Sequence, residues 1–219
     1  MPEPDVVPTA PVPRGSVTGV ILAGGLGRRM NATALAGTHK GLRILAGRPL
    51  AAHVIERLAP QVGTLALNVN RDPDPWRVFG LPIFPDRIEG FAGPLAGLHA
   101  GLGFASTPWI VTVPCDAPRL PPDLVDRLAA ALVSTHAPAA VARTVRALQP
   151  VFAMVSRHAA DDLTEYLATG GRRVEAWYAR LPAVEVPFED ERAFDNVNTP
   201  HDLRRLEDEP APIGDGSPP

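Results

Sequence analysis

The sequence contains little cysteine, little lysine and no long apolar run. Its single cysteine, Cys115, has no partner for an internal disulfide and cannot build a structural zinc site, which indicates a reducing compartment. The nearest approach to a membrane span, the stretch from Phe91 to Ala105, is broken by glycines and by His99. The N-terminal residues lack the basic and apolar regions of a signal peptide, and Arg28-Arg29 comes after an apolar stretch, whereas a twin-arginine signal comes before one. We therefore expect a cytoplasmic protein without membrane contact.

The chain also has no excess of positive charge. Its 219 residues include 21 Lys and Arg against 24 Asp and Glu, so the basic surface of a non-specific nucleic-acid binder is absent. Hydrophobic residues make up 45% and charged residues 21%, which is typical of a globular protein with a buried core. Prolines are frequent at both ends, which predicts solvated tails at 1–15 and 208–219 around one domain at 16–207. We expect a monomer with no nucleic-acid partner.

Short apolar runs alternate with segments of helical period through this domain. Strands are predicted at 17–22, 64–69, 81–84 and 109–113, and helices at 49–59, 94–104, 121–133 and 158–168. This alternation predicts a three-layer α/β/α fold with a mainly parallel sheet covered by helices on both faces. Ligands of such sheets bind beyond the carboxyl ends of the strands, so the residues after Leu22, Leu67, Phe84 and Val113 are the candidates for a site.

A glycine-rich turn follows the first strand. Gly24, Gly25 and Gly27 would let the backbone approach an anion closely, and Arg28 and Arg29 add fixed positive charge. The Gly-Lys-Ser/Thr of a Walker loop and the third glycine of the dinucleotide-binding motif are both missing. The turn is a candidate phosphate site, and an ordinary strand-to-helix turn is the alternative.

Two further residues have the chemistry of a phosphate site. Lys40 is the only lysine, beside 20 arginines, and its compact ammonium suits a phosphate oxygen; the alternative is an accident of composition. Asp116 follows the fourth strand between Pro114 and Pro118, where it either turns the chain or helps to hold Mg²⁺, which binds through one or two carboxylates plus substrate phosphates. The adjacent Cys115 is interpreted as a packing residue.

Other polar residues leave two interpretations open. Asn68 and Asp86 lie at predicted strand ends, where they either read a base or ribose or serve the turns; an aspartate can accept from N1–H and N2–H of guanine. The Gly-Gly-Arg-Arg segment at 170–173 is a second anion site or, slightly favoured, a helix end with solvated charges. Thr199 and Pro200 predict a helix N-terminus, which leaves the neighbouring asparagines unexplained.

The chain shows no catalytic triad, and none of its six histidines has the spacing of a metal site. Transfer of a nucleotidyl group to a phosphate needs neither, because the acceptor oxygen is already ionised at neutral pH. Such catalysis depends on alignment and on cationic stabilisation of the phosphates. The residues described above fit this reaction.

Taken in order, these motifs resemble the molybdenum cofactor guanylyltransferases over about 17–206. The matching segments are Leu22-Ala23-Gly24-Gly25, Arg29-Met30, Lys40-Gly41-Leu42, Pro49-Leu50, Asn68-Val69-Asn70-Arg71, Gly93-Pro94-Leu95-Ala96-Gly97, Pro114-Cys115-Asp116, Gln149-Pro150 and Asn198-Thr199-Pro200. The resemblance implies a fold like that of the nucleotide-diphospho-sugar transferases. It also implies Mg²⁺-dependent transfer of GMP from GTP to the phosphate of molybdenum-loaded molybdopterin, with release of pyrophosphate.

The resemblance also assigns residues and partners. The GTP-binding residues that it implies are Leu22, Ala23, Gly24, Gly25, Lys40, Asn68, Asp86 and Asp116. Asp116 would also hold Mg²⁺, and the catalytic residues would be Arg29, Lys40 and Asp116. Partners besides the two substrates would be molybdenum cofactor biosynthesis proteins or apo-molybdoenzymes. The chain differs from the family in a longer loop before Lys40 and in His39, which replaces an aspartate and would add to GTP binding if charged.

Three other functions remain open from the sequence. A cytidylyltransferase of the same cofactor would have the same fold, but such enzymes tend to carry Leu-Ala-Ala-Gly where this chain has Leu22-Ala23-Gly24-Gly25. A sugar-phosphate nucleotidyltransferase would share the fold as well. A non-catalytic module that binds GTP or carries the cofactor would need the same anion site without turnover.

Overall fold

The computed structural model describes residues 11–23, 39–88 and 93–208. The strands are β1 (Val17–Leu22), β2 (Ile44–Leu45), β3 (Arg48–Pro49), β4 (Thr64–Asn68), β5 (Ile83–Phe84), β6 (Trp109–Pro114), β7 (Ala139–Arg143), β8 (Leu148–Ser156) and β9 (Val184–Pro187). The α-helices are α1 (Leu50–Leu58), α2 (Pro94–Phe104), α3 (Leu124–Thr135), α4 (Ala160–Ala168), α5 (Val174–Arg180) and α6 (Pro200–Asp208). None of these helices has the length and apolar character needed to cross a bilayer.

Within the described residues, seven strands form the main sheet, in the order β5-β4-β1-β6-β8-β7-β9. β1 pairs in parallel with β4 and β6, whereas β8 runs antiparallel to both β6 and β7. The predicted mainly parallel sheet is therefore confirmed. β2 and β3 form a separate antiparallel hairpin before α1.

Helices cover both faces of the sheet, and alternate residues of a strand pack on opposite sides. On β8, Phe152 and Met154 pack into the cluster that contains α1 and α3, whereas Ala153 and Val155 pack against α2, α4 and α5. Every residue of β6 is buried, because both faces of this central strand are covered. This explains the continuous apolar run from which the strand was predicted.

Several predicted boundaries are corrected. The third helix begins at Leu124 and not at residue 121, and the fourth begins at Ala160, after a short 3-10 turn at Arg157–Ala159. The sequence prediction contained none of the strands β7, β8 and β9, nor α5. The predicted tails lie outside the described residues at 1–10 and 209–219. Of their remaining residues, Arg14 and Gly15 belong to a 3-10 helix and Asp208 to α6, and the domain limits stay predictions.

Candidate active site

The carboxyl ends of β1, β4 and β6 meet at one edge of the sheet. Leu22 lies level with Asn68 on one side and with Pro114 on the other. Two backbone hydrogen bonds extend this pairing beyond the strands: Ala23 N–H donates to Asn68 O at 2.9 Å, and Cys115 N–H donates to Leu22 O at 3.2 Å. Residues at the carboxyl ends of three different strands are thus brought together, as the sheet rule predicts.

Asp116 lies at this edge together with two residues from distant parts of the chain. Lys40 Nζ lies 3.6 Å from Asp116 Oδ2 and donates a hydrogen bond of 2.6 Å to Asn198 Oδ1. Val197 N–H donates to Asp116 O at 2.8 Å, which fixes the segment that carries Asn198. We call these three side chains the Lys40–Asp116–Asn198 cluster. Sequence reasoning identified the first two members and missed Asn198.

The N-terminal cap of α6 holds Asn198 in place. Thr199 Oγ1 accepts from Asp202 N–H at 3.1 Å, and Asp202 Oδ2 accepts from the N–H groups of Asn198 and Thr199 at 3.0 and 2.8 Å. This reciprocal arrangement is a capping box, with Pro200 as the first helical residue. The predicted helix start is confirmed, and its cap presents the asparagine to Lys40.

Asp116 is only 7% exposed. Burial raises the pKa of Asp116, and the ammonium of Lys40 and the guanidinium of Arg43 offset part of that effect. The negative charge of this buried carboxylate would favour a divalent cation that arrives with anionic phosphates.

The residues present fit a Mg²⁺ ion that binds together with substrate phosphates. Within 11–23, 39–88 and 93–208, no three His, Cys, Asp or Glu side chains are grouped to form a metal cage. Mg²⁺ keeps several waters and binds proteins through one or two carboxylates plus substrate phosphates, so Asp116 would be its protein ligand. The magnesium requirement itself stays a prediction.

The burial of Asp116 also makes stability depend on pH. The unfolded chain has an aspartate pKa of about 3.9 and the folded protein a higher one, so between these values the folded state retains a proton that the unfolded state releases. Stability from protonated Asp116 is full below the unfolded pKa and is lost as pH rises through the folded pKa. Without metal or nucleotide, the free energy of unfolding of Asp116→Asn should therefore increase relative to that of the wild type as pH rises. Urea denaturation of both proteins across this pH window tests this, and parallel stability curves would contradict it.

A second polar group surrounds Asp86 after β5. Asn68 Nδ2 donates to Asp86 Oδ1 at 2.9 Å, and Asn70 Nδ2 donates to Oδ2 at 2.7 Å. Asp86 N–H donates in turn to Asn70 Oδ1 at 2.7 Å. Asn68 is 2% exposed and packed under α2, where a Cβ on Gly97 would lie 2.7 Å from its Oδ1. The geometry therefore favours Asn68 and Asn70 as the residues that orient Asp86, a role for Asn70 that sequence reasoning missed.

The other candidate residues divide into those described and those outside the described part. Leu22 and Ala23 lie at the end of β1, beside the cluster. Gly24, Gly25 and Arg29 lie outside the described residues, so their contact with phosphates stays a prediction.

The structure shows contacts for two further candidates, the segment at 170–173 and His39. Arg172 Nη1 donates to the carbonyls of Leu167 and Gly171 at 3.1 and 2.6 Å, which caps the end of α4 and fits the helix-end interpretation. His39 Nε2 lies 4.0 Å from Asp72 Oδ2. Its contribution to GTP binding stays a prediction.

Comparison with known proteins identifies the family of the chain. The family model described as MobA-like NTP transferase domain matches residues 19–184. The molybdenum cofactor guanylyltransferase of Ralstonia nicotianae is 45% identical over 204 residues, covering 89% of this chain and 98% of the relative. That of Cupriavidus necator is 47% identical over 201 residues, covering 90% and 98%.

Solved structures show the same fold. Molybdopterin-guanine dinucleotide biosynthesis protein A from Archaeoglobus fulgidus matches with a TM-score of 0.68 and 27% identity, over 87% of this chain and 96% of that one. The 4-diphosphocytidyl-2C-methyl-D-erythritol synthase of Anaerococcus prevotii matches with a TM-score of 0.66 over 87% and 94% of the chains, but at 11% identity, which shows the fold alone. The chain thus belongs to the molybdenum cofactor guanylyltransferase family, within the MobA-like NTP transferases.

Proposed function

We propose that this protein transfers GMP from GTP to the phosphate of molybdenum-loaded molybdopterin, with release of pyrophosphate. The observation that carries the proposal is the Lys40–Asp116–Asn198 cluster at the shared carboxyl edge of β1 and β6. Relatives that are 45–47% identical over nine-tenths of the chain are named for this activity. A cytoplasmic location, a monomeric state and contacts with apo-molybdoenzymes stay predictions from the sequence.

The chemistry requires alignment of two phosphates and no general base. An acceptor phosphate oxygen attacks the α-phosphorus of GTP, and the bond from that phosphorus to the β-bridging oxygen breaks. The bonding pair leaves with pyrophosphate. Mg²⁺ held at Asp116 would neutralise phosphate charge and help to align the two substrates.

Lys40 is suited to stabilise the charge that develops on the leaving group. Its ammonium is held by Asn198 at 2.6 Å and faces Asp116 at 3.6 Å, so it is positioned before any nucleotide binds. Preorganised charges of this kind do not have to reorient during the reaction. Asn198 therefore acts through Lys40 and limits the positions that the flexible side chain can take.

Asp86 is suited to select guanine. Both oxygens of its carboxylate are oriented by the amides of Asn68 and Asn70. A carboxylate so held can accept from the adjacent N1–H and N2–H donors of guanine, and adenine and cytosine do not present this pair. A preference for GTP follows from this arrangement.

Replacing Asp86 with asparagine should weaken that preference. The amide of the new side chain has one acceptor in place of two and adds donors that face the donors of guanine. We expect the ratio of kcat/KM for GTP to that for CTP to fall about 10- to 100-fold, the cost of leaving hydrogen-bond donors of the base unpaired. Asp74→Asn is a control for the loss of one carboxylate, because Asp74 lies before β5, on the other side of that strand in sequence, with its side chain 80% exposed. An unchanged ratio in Asp86→Asn would contradict the assignment.

The function itself is tested by product formation. Purified protein is incubated with radiolabelled GTP, Mg²⁺ and molybdenum-loaded molybdopterin, and we expect a labelled dinucleotide together with pyrophosphate. Chelation of Mg²⁺ should stop both products. A preference for CTP would overturn the proposed substrate, and GTP binding without turnover would favour a cofactor-carrying module.

A further inference from the structure

Trp76 is a fully buried aromatic residue that the proposed reaction leaves without a role. It lies in the 3-10 helix Asp74–Phe79, in the connection between β4 and β5. Its Nε1 atom is buried and has no hydrogen-bond partner in the described part of the chain. The indole therefore contributes there through packing and shape, and what it packs against determines its role.

The end of the indole ring lies against the turn that carries Lys40. Lys40 begins the short 3-10 helix Lys40–Leu42, whose second residue is Gly41. A Cβ atom on Gly41 would lie 2.7 Å from Cη2 of Trp76 and 2.9 Å from Sγ of Cys115. The backbone of the turn is thus held between the indole and Cys115, and Cys115 directly precedes Asp116.

The residue before Lys40 touches the same connection. The ring of His39 meets that of Trp76 edge-on, with 5.7 Å between centroids and 78° between planes. His39 Nε2 lies 4.0 Å from Asp72 Oδ2, which belongs to the same connection. Both neighbours of Lys40 in the chain are therefore held by residues that follow β4.

We propose that Trp76 is a positioning residue for Lys40, and its effect on the reaction rests on the proposed function. The indole sets how closely the Lys40 turn approaches the end of β6, and so places the ammonium between Asp116 and Asn198. A lysine side chain has several rotatable bonds, so a fixed backbone is needed for its charge to stay in one place. The role of Cys115 as a packing residue is part of the same arrangement.

Because Lys40 is the only lysine, the rate at which its amine is acylated reports how the side chain is held. Lys40 is acylated by an N-hydroxysuccinimide ester without nucleotide, and peptide mass spectrometry separates its product from that of the N-terminal amine. Trp76→Phe removes the ring atoms that reach Gly41 and costs no hydrogen bond within the described residues. In this variant the Lys40 turn should shift, and the amine should lose its hydrogen bond to Asn198 and become freer to react. We expect it to be acylated about tenfold faster, the factor that corresponds to one lost charge-assisted hydrogen bond.

Trp177→Phe is the matched control. Trp177 is also fully buried, but it packs on the opposite face of the sheet and donates from Nε1 to Asp162 at 2.8 Å. Its loss should destabilise the protein at least as much, and yet change the acylation rate of Lys40 by less than about twofold. Acylation at the wild-type rate in Trp76→Phe, or equal acceleration in both variants, would overturn the proposal.

A second variant reaches the same contact from the other side. Gly41→Ala places a methyl group where Trp76 and Cys115 leave no room, so the turn must shift and Lys40 should again react faster. This variant decides the question if Trp76→Phe does not fold, and a wild-type rate in it would then overturn the proposal. Protection of wild-type Lys40 by GTP and Mg²⁺ tests the proposed function separately, because the variants are compared without nucleotide.

Discussion

Replacing Asp116 with asparagine is expected to slow guanylyl transfer by about 100-fold or more while the protein stays folded. Asparagine keeps the shape of the side chain and the backbone hydrogen bond from Val197 N–H to Asp116 O. It removes the charge that faces Lys40 at 3.6 Å and the carboxylate that would hold Mg²⁺. The measurement is pyrophosphate release at saturating GTP and Mg²⁺, beside a thermal unfolding curve of each protein.

Asp123→Asn controls for the loss of one carboxylate. Asp123 has a side chain that is 53% exposed and an ion pair with Arg127 at 3.7 Å, so its replacement should leave turnover unchanged. Wild-type turnover in Asp116→Asn would show that Asp116 only turns the chain. GTP binding without turnover in the wild-type protein would point to the cofactor-carrying module.

Replacing Lys40 with methionine should lower kcat by about 100-fold, because it removes a preorganised cation without removing the bulk of the side chain. Lys40→Arg should restore only part of the rate. Its planar guanidinium cannot occupy the place of a compact ammonium 2.6 Å from Asn198 Oδ1. Steady-state kinetics with GTP varied at saturating acceptor measure both variants.

Arg48→Met is the corresponding control for loss of a cation. Arg48 belongs to β3, close to Lys40 in sequence, with its side chain 50% exposed and paired with Glu56 at 2.8 Å. Its replacement should not change kcat. If Lys40→Met changes KM for GTP and leaves kcat intact, Lys40 contributes to ground-state binding alone, and the assigned catalytic role is wrong.

The central strands were predictable, but the sheet half that contains β7–β9 was not. β1 and β6 are apolar and rich in β-branched residues, so their local sequence and their burial agree. β7 contains Ala139, Ala140 and Ala142, and alanine favours helix over strand. Its extended conformation comes from pairing with β8 and β9, which no local pattern shows.

The site was predictable where a strand end carried the relevant side chain. Asp116 lies two residues after the end of β6, so the rule for parallel sheets was sufficient to find it. Asn198 contacts Lys40 across 158 positions of sequence, and Trp76 acts through packing on a glycine. Such contacts between distant segments exist only once the chain is folded, so the residues that support Lys40 were not visible in the sequence.

The pairing of Lys40 with Asn198 joins the segment after β1 to the segment after β9. During translation, every strand through β9 leaves the ribosome before Asn198 and α6 do. A nascent chain stalled or terminated ahead of that point holds the nucleotidyltransferase sheet and Asp116 but lacks Asn198, the hydrogen-bond partner of the Lys40 ammonium. We therefore expect full activity only after Asn198 has emerged and paired with Lys40, and reduced activity in products terminated before it.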